Sequence, residues 1–391
     1  ALLQKTARQT ANNLMLMDAG GNNPTRLTYS ASGDYWPVVL QDGRISFRRW
    51  DNLRANPESE YCPTVNIPFG FPENFWMADI NGVSIWVINP DGTIPDLYYG
   101  SHLNRDRRVF MDHSELPDGK LLAVAAPMNS TYGAGTIAIL NTAEYDDVEI
   151  PDYITEPEAA ADALTIYGRY RFPARLSDGR YVAIYAPGGV FDDDETHHPQ
   201  FGLVVVDSQG NRRSLVDDVD SWEWSPIELK ARPMPATIAP SDNAQNWATL
   251  GCANIFLRDA REPESKDPQP IPLPEVGYKI RMFTAMLTND TGLHEPWDNT
   301  DIVRPHNFIG EIPVKSDGSW AAMLPAHTPL TWQVVDPQGK VRVIERFFTH
   351  MEGGETRFCQ GCHAPQRPGA FAEVDFEDTL AYASPTDLRP N

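Results

Sequence analysis

Six residues toward the end of the chain carry its most specific chemistry: Phe358-Cys359-Gln360-Gly361-Cys362-His363. They read C-x-x-C-H, the attachment signature of a c-type haem. The two thiols add across the porphyrin vinyl groups as thioethers, and the two-residue spacer lets one turn of chain reach both. The histidine that follows directly is placed under the iron as an axial ligand. Two cysteines at this spacing also suit a zinc half-site or a dithiol redox pair. Zinc would want a second pair, and the other cysteines, Cys62 and Cys252, stand alone in the sequence. A dithiol oxidoreductase would want its pair at a strand-to-helix junction. Here the pair follows Gly353-Gly354-Glu355-Thr356, a loop by composition. One covalent haem c is the expected cofactor and redox work the expected task.

The elements that must hold this motif come from a chain of 391 residues, enough for two or three domains. Hydrophobic residues make up 41%, so the chain is globular, and no apolar run of about 18 residues offers a membrane span. A net charge of −22, with a pI near 4.7, argues against nucleic acid or an anionic membrane as partner. It fits solubility in a salty or extracellular setting, or steering toward a basic redox partner. Abundant proline (34) and glycine (27), with few helical patterns, mark an all-β, turn-rich chain. Covalent haem attachment takes place outside the cytoplasm. A periplasmic or extracellular location is therefore expected, with a signal peptide removed ahead of Ala1.

The first part repeats a theme of short strands and turns. Strand patterns over 13–17, 25–28, 35–40 and 44–47 read as one propeller blade. A second spans Ile85-Trp86-Val87-Ile88 to the Asp118-Gly119 turn and its following strand. A third runs from Thr136 to Ile184, and a fourth, less regular, from Leu203 to Pro226. The markers Asp18, Asn89, Asn141 and Asp207 lie 71, 52 and 66 residues apart, longer than ordinary blades of about 40–50 residues. The excess falls in loops such as 56–74 and 144–163. The Asp-Gly pairs are expected to be two-residue hairpin turns. The expected fold of 1–235 is a β-propeller with TolB/YVTN-like blades, possibly short of blades at its N-terminal end; a β-sandwich is the alternative.

A Pro-rich stretch, 230–235, reads as a linker. Residues 236–391 then form a small antiparallel β-rich domain bearing the haem. Its strands include 253–257, 278–283, 308–314 and 321–324, and a hairpin of 330–335 with 341–345. Its last strand runs through Arg346-Phe347-Phe348-Thr349-His350 toward the motif. The tail after His363 is expected to wrap the haem edge.

These segments resemble the α subunit of hydrazine synthase and its relatives. Residues 84–100, ending Leu-Tyr-Tyr-Gly, resemble that family's second recognisable blade, and 221–235 its propeller exit. The most specific likeness is 309–363: a Pro-Val-x-x-Asp-Gly-Ser turn, a Leu-Pro-Ala-x-Thr-Pro-Leu strand, then Gly-Glu-Thr-Arg-x-Cys-x-x-Cys-His. The resemblance implies a propeller followed by a haem-bearing middle domain; the namesake's further C-terminal haem domain has no counterpart in these residues. In the family a tyrosine four residues after the motif histidine binds the iron, and here that position is Arg367. The resemblance thus carries over Cys359 and Cys362, supports His363 as an ordinary axial ligand, and does not carry over hydrazine chemistry.

The sixth iron position decides between electron transfer and catalysis. His350 and Met351 lie just upstream of the motif, and His306 and His327 are further candidate distal ligands; an open site is the alternative. Arg346, Arg357 and Arg367 are candidate partners for haem propionates, because a guanidinium fork matches a carboxylate. Trp320, Trp332, Phe347, Phe348 and Phe358 read as core aromatics, one or two of them against the porphyrin. The acidic run 192–198, with His197 and His198, offers oxygen and imidazole donors for an additional cation, or is a solvated loop. Cys62 and Cys252 are a candidate disulfide; a buried thiol at each is the alternative, and the resemblance adds Cys252 as a metal ligand.

The sequence therefore points to an extracytoplasmic mono-haem c-type cytochrome, an electron-transfer subunit working with other redox subunits or with copies of itself. The alternatives are a haem enzyme with an open iron acting on a small nitrogenous molecule or peroxide, and a structural or binding module with a haem staple.

Overall fold

The computed structural model describes residues 12–30, 33–51, 82–100, 108–127, 133–142, 151–161, 167–188, 199–241, 244–257, 276–285, 306–339, 341–345, 348–361 and 375–389. After a small hairpin of β1 (Met15–Leu16) and β2 (Thr25–Arg26) come three four-stranded antiparallel sheets, each a meander in chain order. The first holds β3 (Asp34–Val39), β4 (Ile45–Asp51), β5 (Gly82–Ile88) and β6 (Asp96–Tyr99). The second holds β7 (Arg108–Glu115), β8 (Leu121–Pro127), β9 (Thr136–Leu140) and β10 (Asp152–Tyr153). The third holds β11 (Arg169–Arg175), β12 (Tyr181–Ala186), β13 (Gly202–Val206) and β14 (Arg212–Val216). A four-stranded meander is the repeating unit of a propeller.

The sheets pack face on face. Ile85, Val87, Leu121, Ala123 and Ala125 meet between the first and second, and Leu122, Ile137, Tyr181, Ala183 and Val204 between the second and third. In β5 the alternate residues Trp86 and Ile88 point the other way and bury against Leu14 and Leu27 of the small hairpin region. β8 is buried along its whole length, which is why it reads as an unbroken apolar run, Leu-Leu-Ala-Val-Ala-Ala.

Two features repeat in every sheet. The first strand carries a bulge, with register breaks at Tyr35/Val38, Met111/Ser114 and Arg171/Ala174. One residue in each bulge turns left-handed: Trp36 (φ 57), Asp112 (φ 51) and Phe172 (φ 51). The bulges bring side chains of different sheets together. Arg171 clamps Asp112 with two N–H donors, and Trp36 lies 4.9 Å from Phe172. The Gly-containing hairpins form the second repeat. At 40–44 the Leu40 amide donates to the Arg44 carbonyl and the Gly43 amide to the Leu40 carbonyl. The same pair of bonds recurs at 89–93, 116–120, 176–180 and 207–211.

This corrects the expected two-residue turns. The loops hold three residues, and only their glycines take positive φ (91° at Gly43), the pattern of a type I turn closed by a left-handed glycine. The blade frame also shifts. Strands β1 and β2 stand apart as their own sheet, and β5, expected to open a second blade, is the third strand of the first sheet. Among the described residues there are three such sheets where four blades were expected.

Residues 217–241 leave the third sheet without forming a strand and cross the first. The Ala236 amide donates to the Gln41 carbonyl, and Ser241 donates through both amide and hydroxyl to Asp91. Beyond lie β15 (Trp247–Asn254), β16 (Lys279–Ala285), β17 (His306–Pro313), β18 (Trp320–Pro325), β19 (Leu330–Val335), β20 (Val341–Ile344), β21 (Thr356–Gly361) and β22 (Thr386–Asp387). They form two sheets, in the orders β21-β15-β18-β22 and β17-β16-β19-β20. Leu250, Cys252, Ile280, Met282, Trp320, Leu324, Leu330 and Val334 make the core. This unit was expected to be antiparallel throughout; β21 and β22 instead join their neighbours in parallel.

His113, in the bulge of β7, is fully buried and shares a 2.9 Å hydrogen bond with the Ser46 hydroxyl. Burial pushes its pKa down to about 3, with the Arg48 cation adding to the fall and Asp112 opposing it. The folded protein therefore keeps His113 neutral, while the unfolded chain takes up a proton below its ordinary value of 6.5. Stability from this group is complete above 6.5 and is lost as pH falls toward 3, by at most about 1.4 kcal/mol per pH unit. Denaturant unfolding across this range should show a shallower pH slope for His113→Gln than for the parent; equal slopes would contradict the assignment.

Candidate haem site at an edge strand

The motif begins on β21. Thr356, Arg357, Phe358 and Cys359 pair in parallel with Thr249, Leu250, Gly251 and Cys252 of β15. The loop expected to carry the cysteines thus ends sooner. Residues 353–354 turn, and the β-forming Thr-Arg-Phe run adds to the edge of β15. Phe358 lies over Gly251, where a Cβ would collide with the ring, and stacks on Phe376 at 4.3 Å with Tyr382 at its edge. Cys359 falls on the opposite, core-facing side and is half-buried. Among the described residues β21 is the outermost strand, so Cys359 stands at the described edge of the sheet. An accessible thiol at a sheet edge fits covalent attachment of a flat macrocycle. Cys362, His363, Arg346, Phe347 and Arg367 lie outside the described residues, as do Cys62 and the run 192–198.

The segment 348–357, which delivers the chain to β21, is clamped against the first sheet. Arg49 of β4 makes a two-pronged pair with Asp34 of β3, at 2.7 and 3.0 Å, and its remaining Nη1 donates to the Phe348 carbonyl at 2.9 Å. Both side chains are almost wholly buried. Arg357 crosses the other way. Its Nη1 donates to the Pro95 carbonyl, and its Nη2 to the Thr349 hydroxyl and the His350 carbonyl. Glu355 accepts the amides of Ile94 and Glu352 on its two oxygens. Arg357, expected as a propionate partner, thus has its donors on protein oxygens.

The four candidate distal ligands differ sharply. Met351 is fully buried in the core of the second unit. His327 stacks on Tyr29 at 4.9 Å and shares a 2.6 Å hydrogen bond with Glu352. Glu352 is held above its ordinary pKa, first by burial and then by Glu355 and Asp91, with His327 opposing. His306 opens β17, and its side chain lies outside the described residues. His350 is fully buried, edge-on to Tyr29, and neither ring nitrogen makes a close hydrogen bond of good geometry. Burial, then the Arg49 and Arg357 cations and His327, hold it well below its ordinary pKa, while a loose hydrogen bond to the Leu27 backbone opposes them. A neutral imidazole is the state a metal ligand requires.

Sequence reasoning missed Tyr29, Asp34, Arg49, Glu352 and Glu355. The one available cue was the pair Arg48-Arg49 inside an otherwise strand-like run. Among the described residues no group of three or more His, Cys, Asp or Glu side chains is arranged to hold a metal ion. The described tail, 375–389, closes the second unit. Leu380 and Ala381 donate to Asp317 and Ser319, and β22 extends the sheet beside β18.

Stacked blade-like meanders joined to a two-sheet unit define an all-β, propeller-like protein with an appended middle domain. Residues 276–364 match the family described as "Hydrazine synthase alpha subunit middle domain", so this segment is similar to that domain. The solved structure of Kuenenia stuttgartiensis hydrazine synthase shares the fold at a TM-score of 0.66 and 19% identity. That match covers 95% of this chain and 49% of the other, so this chain spans about half its length. A putative gluconolactonase is 11% identical over 85% of this chain and 83% of its own, at a TM-score of 0.27. No curated protein matches the chain.

The Asp34–Arg49 pair generates a direct test. Asp34→Ala leaves a buried guanidinium uncompensated and should cost about 3–5 kcal/mol in denaturant unfolding. Adding Arg49→Met removes that orphaned charge, so the double variant should be more stable than Asp34→Ala alone. Simple additivity of the two losses would show that the pair does not act as a buried unit.

Proposed function

We propose that this chain is an extracytoplasmic c-type haem protein that passes electrons within a larger redox assembly. Cys359 and Cys362 would hold the porphyrin as thioethers, with His363 and His350 as the protein ligands to its iron. A haem held in this way supplies a one-electron ferrous–ferric couple. His350 carries the reading: a fully buried, neutral imidazole whose ring nitrogens make no close hydrogen bond of good geometry, nine residues ahead of the first motif cysteine. The middle-domain match supports it, since hydrazine synthase is the enzyme named for that family. Met351 and His327 are committed elsewhere, which favours His350 among the described candidates. A mono-haem chain needs partners within tunnelling range, so the assembly would contain other redox subunits or copies of this chain. The acidic surface, at −22 overall, suits a basic partner.

A second reading has its own observation. Tyr29, His327 and Glu352 form a polar cluster against His350. Were the iron open, such a cluster would serve a haem enzyme acting on a small nitrogenous molecule or peroxide. Visible absorption and EPR spectra of the purified protein, with and without carbon monoxide, separate the two. Electron transfer predicts a low-spin haem indifferent to carbon monoxide, turned high-spin and carbon-monoxide-sensitive by His350→Ala. A parent spectrum that already shifts with carbon monoxide would replace it with the enzyme reading, and absence of covalent haem would remove both.

A further inference from the structure

We infer that Cys252 and Cys359 form a reversible disulfide in the chain before haem is attached, making Cys252 a redox guard of the first motif cysteine. The observation is the register of β15 and β21. Cys252 and Cys359 are direct partners in a parallel pair, so both side chains leave the same face of the sheet. That face is the core of the second unit, in which Cys252 is buried and against which Cys359 packs. Both are thiols in the structure. Neighbouring strands lie about 4.8 Å apart, inside the window of about 4.4–6.8 Å between Cα atoms that a disulfide spans. Among the described residues β21 is paired on one side only, which leaves it room to settle into the required geometry.

Exposure sets the order of events. Cys359 is half-buried and meets an oxidant first, while Cys252 is 2% exposed and is reached only through its neighbour. With a low-molecular-weight disulfide such as oxidised glutathione, the Cys359 thiolate attacks one sulfur and expels one glutathione thiolate. The Cys252 thiolate then attacks the mixed disulfide at the Cys359 sulfur and expels the second. The protein loses two electrons and two protons and gains one S–S bond; glutathione disulfide becomes two glutathiones. Thioether formation needs Cys359 as a thiol, so this bond must be reduced before a haem can take both motif cysteines. The guarding role rests on the haem reading, whereas the disulfide itself does not.

The test uses the full chain purified without haem, equilibrated with oxidised glutathione, blocked with N-ethylmaleimide and mapped by peptide mass spectrometry. The expected product joins the Cys252 and Cys359 peptides and disappears in Cys252→Ala. A Cys359–Cys362 bond, a Cys62–Cys252 bond, or four alkylated thiols would each overturn the proposal. Haem loading is read separately, on aliquots taken before the N-ethylmaleimide step and freed of glutathione. Loading of the oxidised chain should require added reductant, and loading of the chain never exposed to oxidised glutathione should not. Loading without reductant despite a mapped Cys252–Cys359 bond would overturn the guarding role. A chain that never accepts haem, reduced or not, would sink the haem reading and with it the guard, while the peptide map judges the disulfide alone.

Discussion

The buried Asp34–Arg49 pair is the constraint on which the rest of the site depends. Charges removed from water are costly unless geometry and hydrogen bonding compensate. Here the carboxylate takes two guanidinium donors, and the third goes to the Phe348 carbonyl, 299 positions away in sequence. The guanidinium also lies over the Trp86 ring at 4.2 Å. A polar interaction that is only complete when blade and middle domain meet makes their mutual position part of the fold. Arg357 repeats the device in reverse, reaching from β21 to the Pro95 carbonyl. Between these two crossings the chain passes through His350, which leaves its imidazole enclosed by the Arg49 and Arg357 cations and Tyr29.

Glycines make the close approach possible. A Cβ at Gly43 would collide with the Ala236 carbonyl of the crossing segment, and one at Gly92 would stand 2.6 Å from the Glu352 carboxylate. Both positions also need positive φ, at 91° each. The hairpin geometry that ends each strand pair and the contact that seats the second unit on the first sheet are therefore met by the same residues.

What the sequence disclosed follows from how local each feature is. The C-x-x-C-H run and the all-β class are written in neighbouring residues, so both were readable. The blade frame was not, because identical Gly-closed hairpins follow both the first and the third strand of a sheet, at Gly43 and Gly92 for example, and cannot by themselves mark where a sheet begins. The bulges are shared in geometry but not in residue type: Trp36, Asp112 and Phe172 have little in common except backbone shape. The parallel pairing of β21 is non-local, and a tight-looking Gly-Gly-Glu-Thr stretch concealed a strand that begins immediately after it. His350 was named as a candidate by position alone; its enclosure depends on groups such as Tyr29 and Arg49, over 300 residues upstream.

The register of β21 is fixed by one fit of shape. Slipping a strand by a single residue reverses the face of every side chain. Only Gly251 on β15 leaves room for the Phe358 ring to lie flat, and the ring is held from above by Phe376 and Tyr382. Any side chain at 251 would lift Phe358 and release the tail that covers it. With Phe358 seated, Cys359 must point to the core side, beside Cys252 and at the border of the sheet. The pairing of an aromatic residue with a glycine thus decides which way the first cysteine faces.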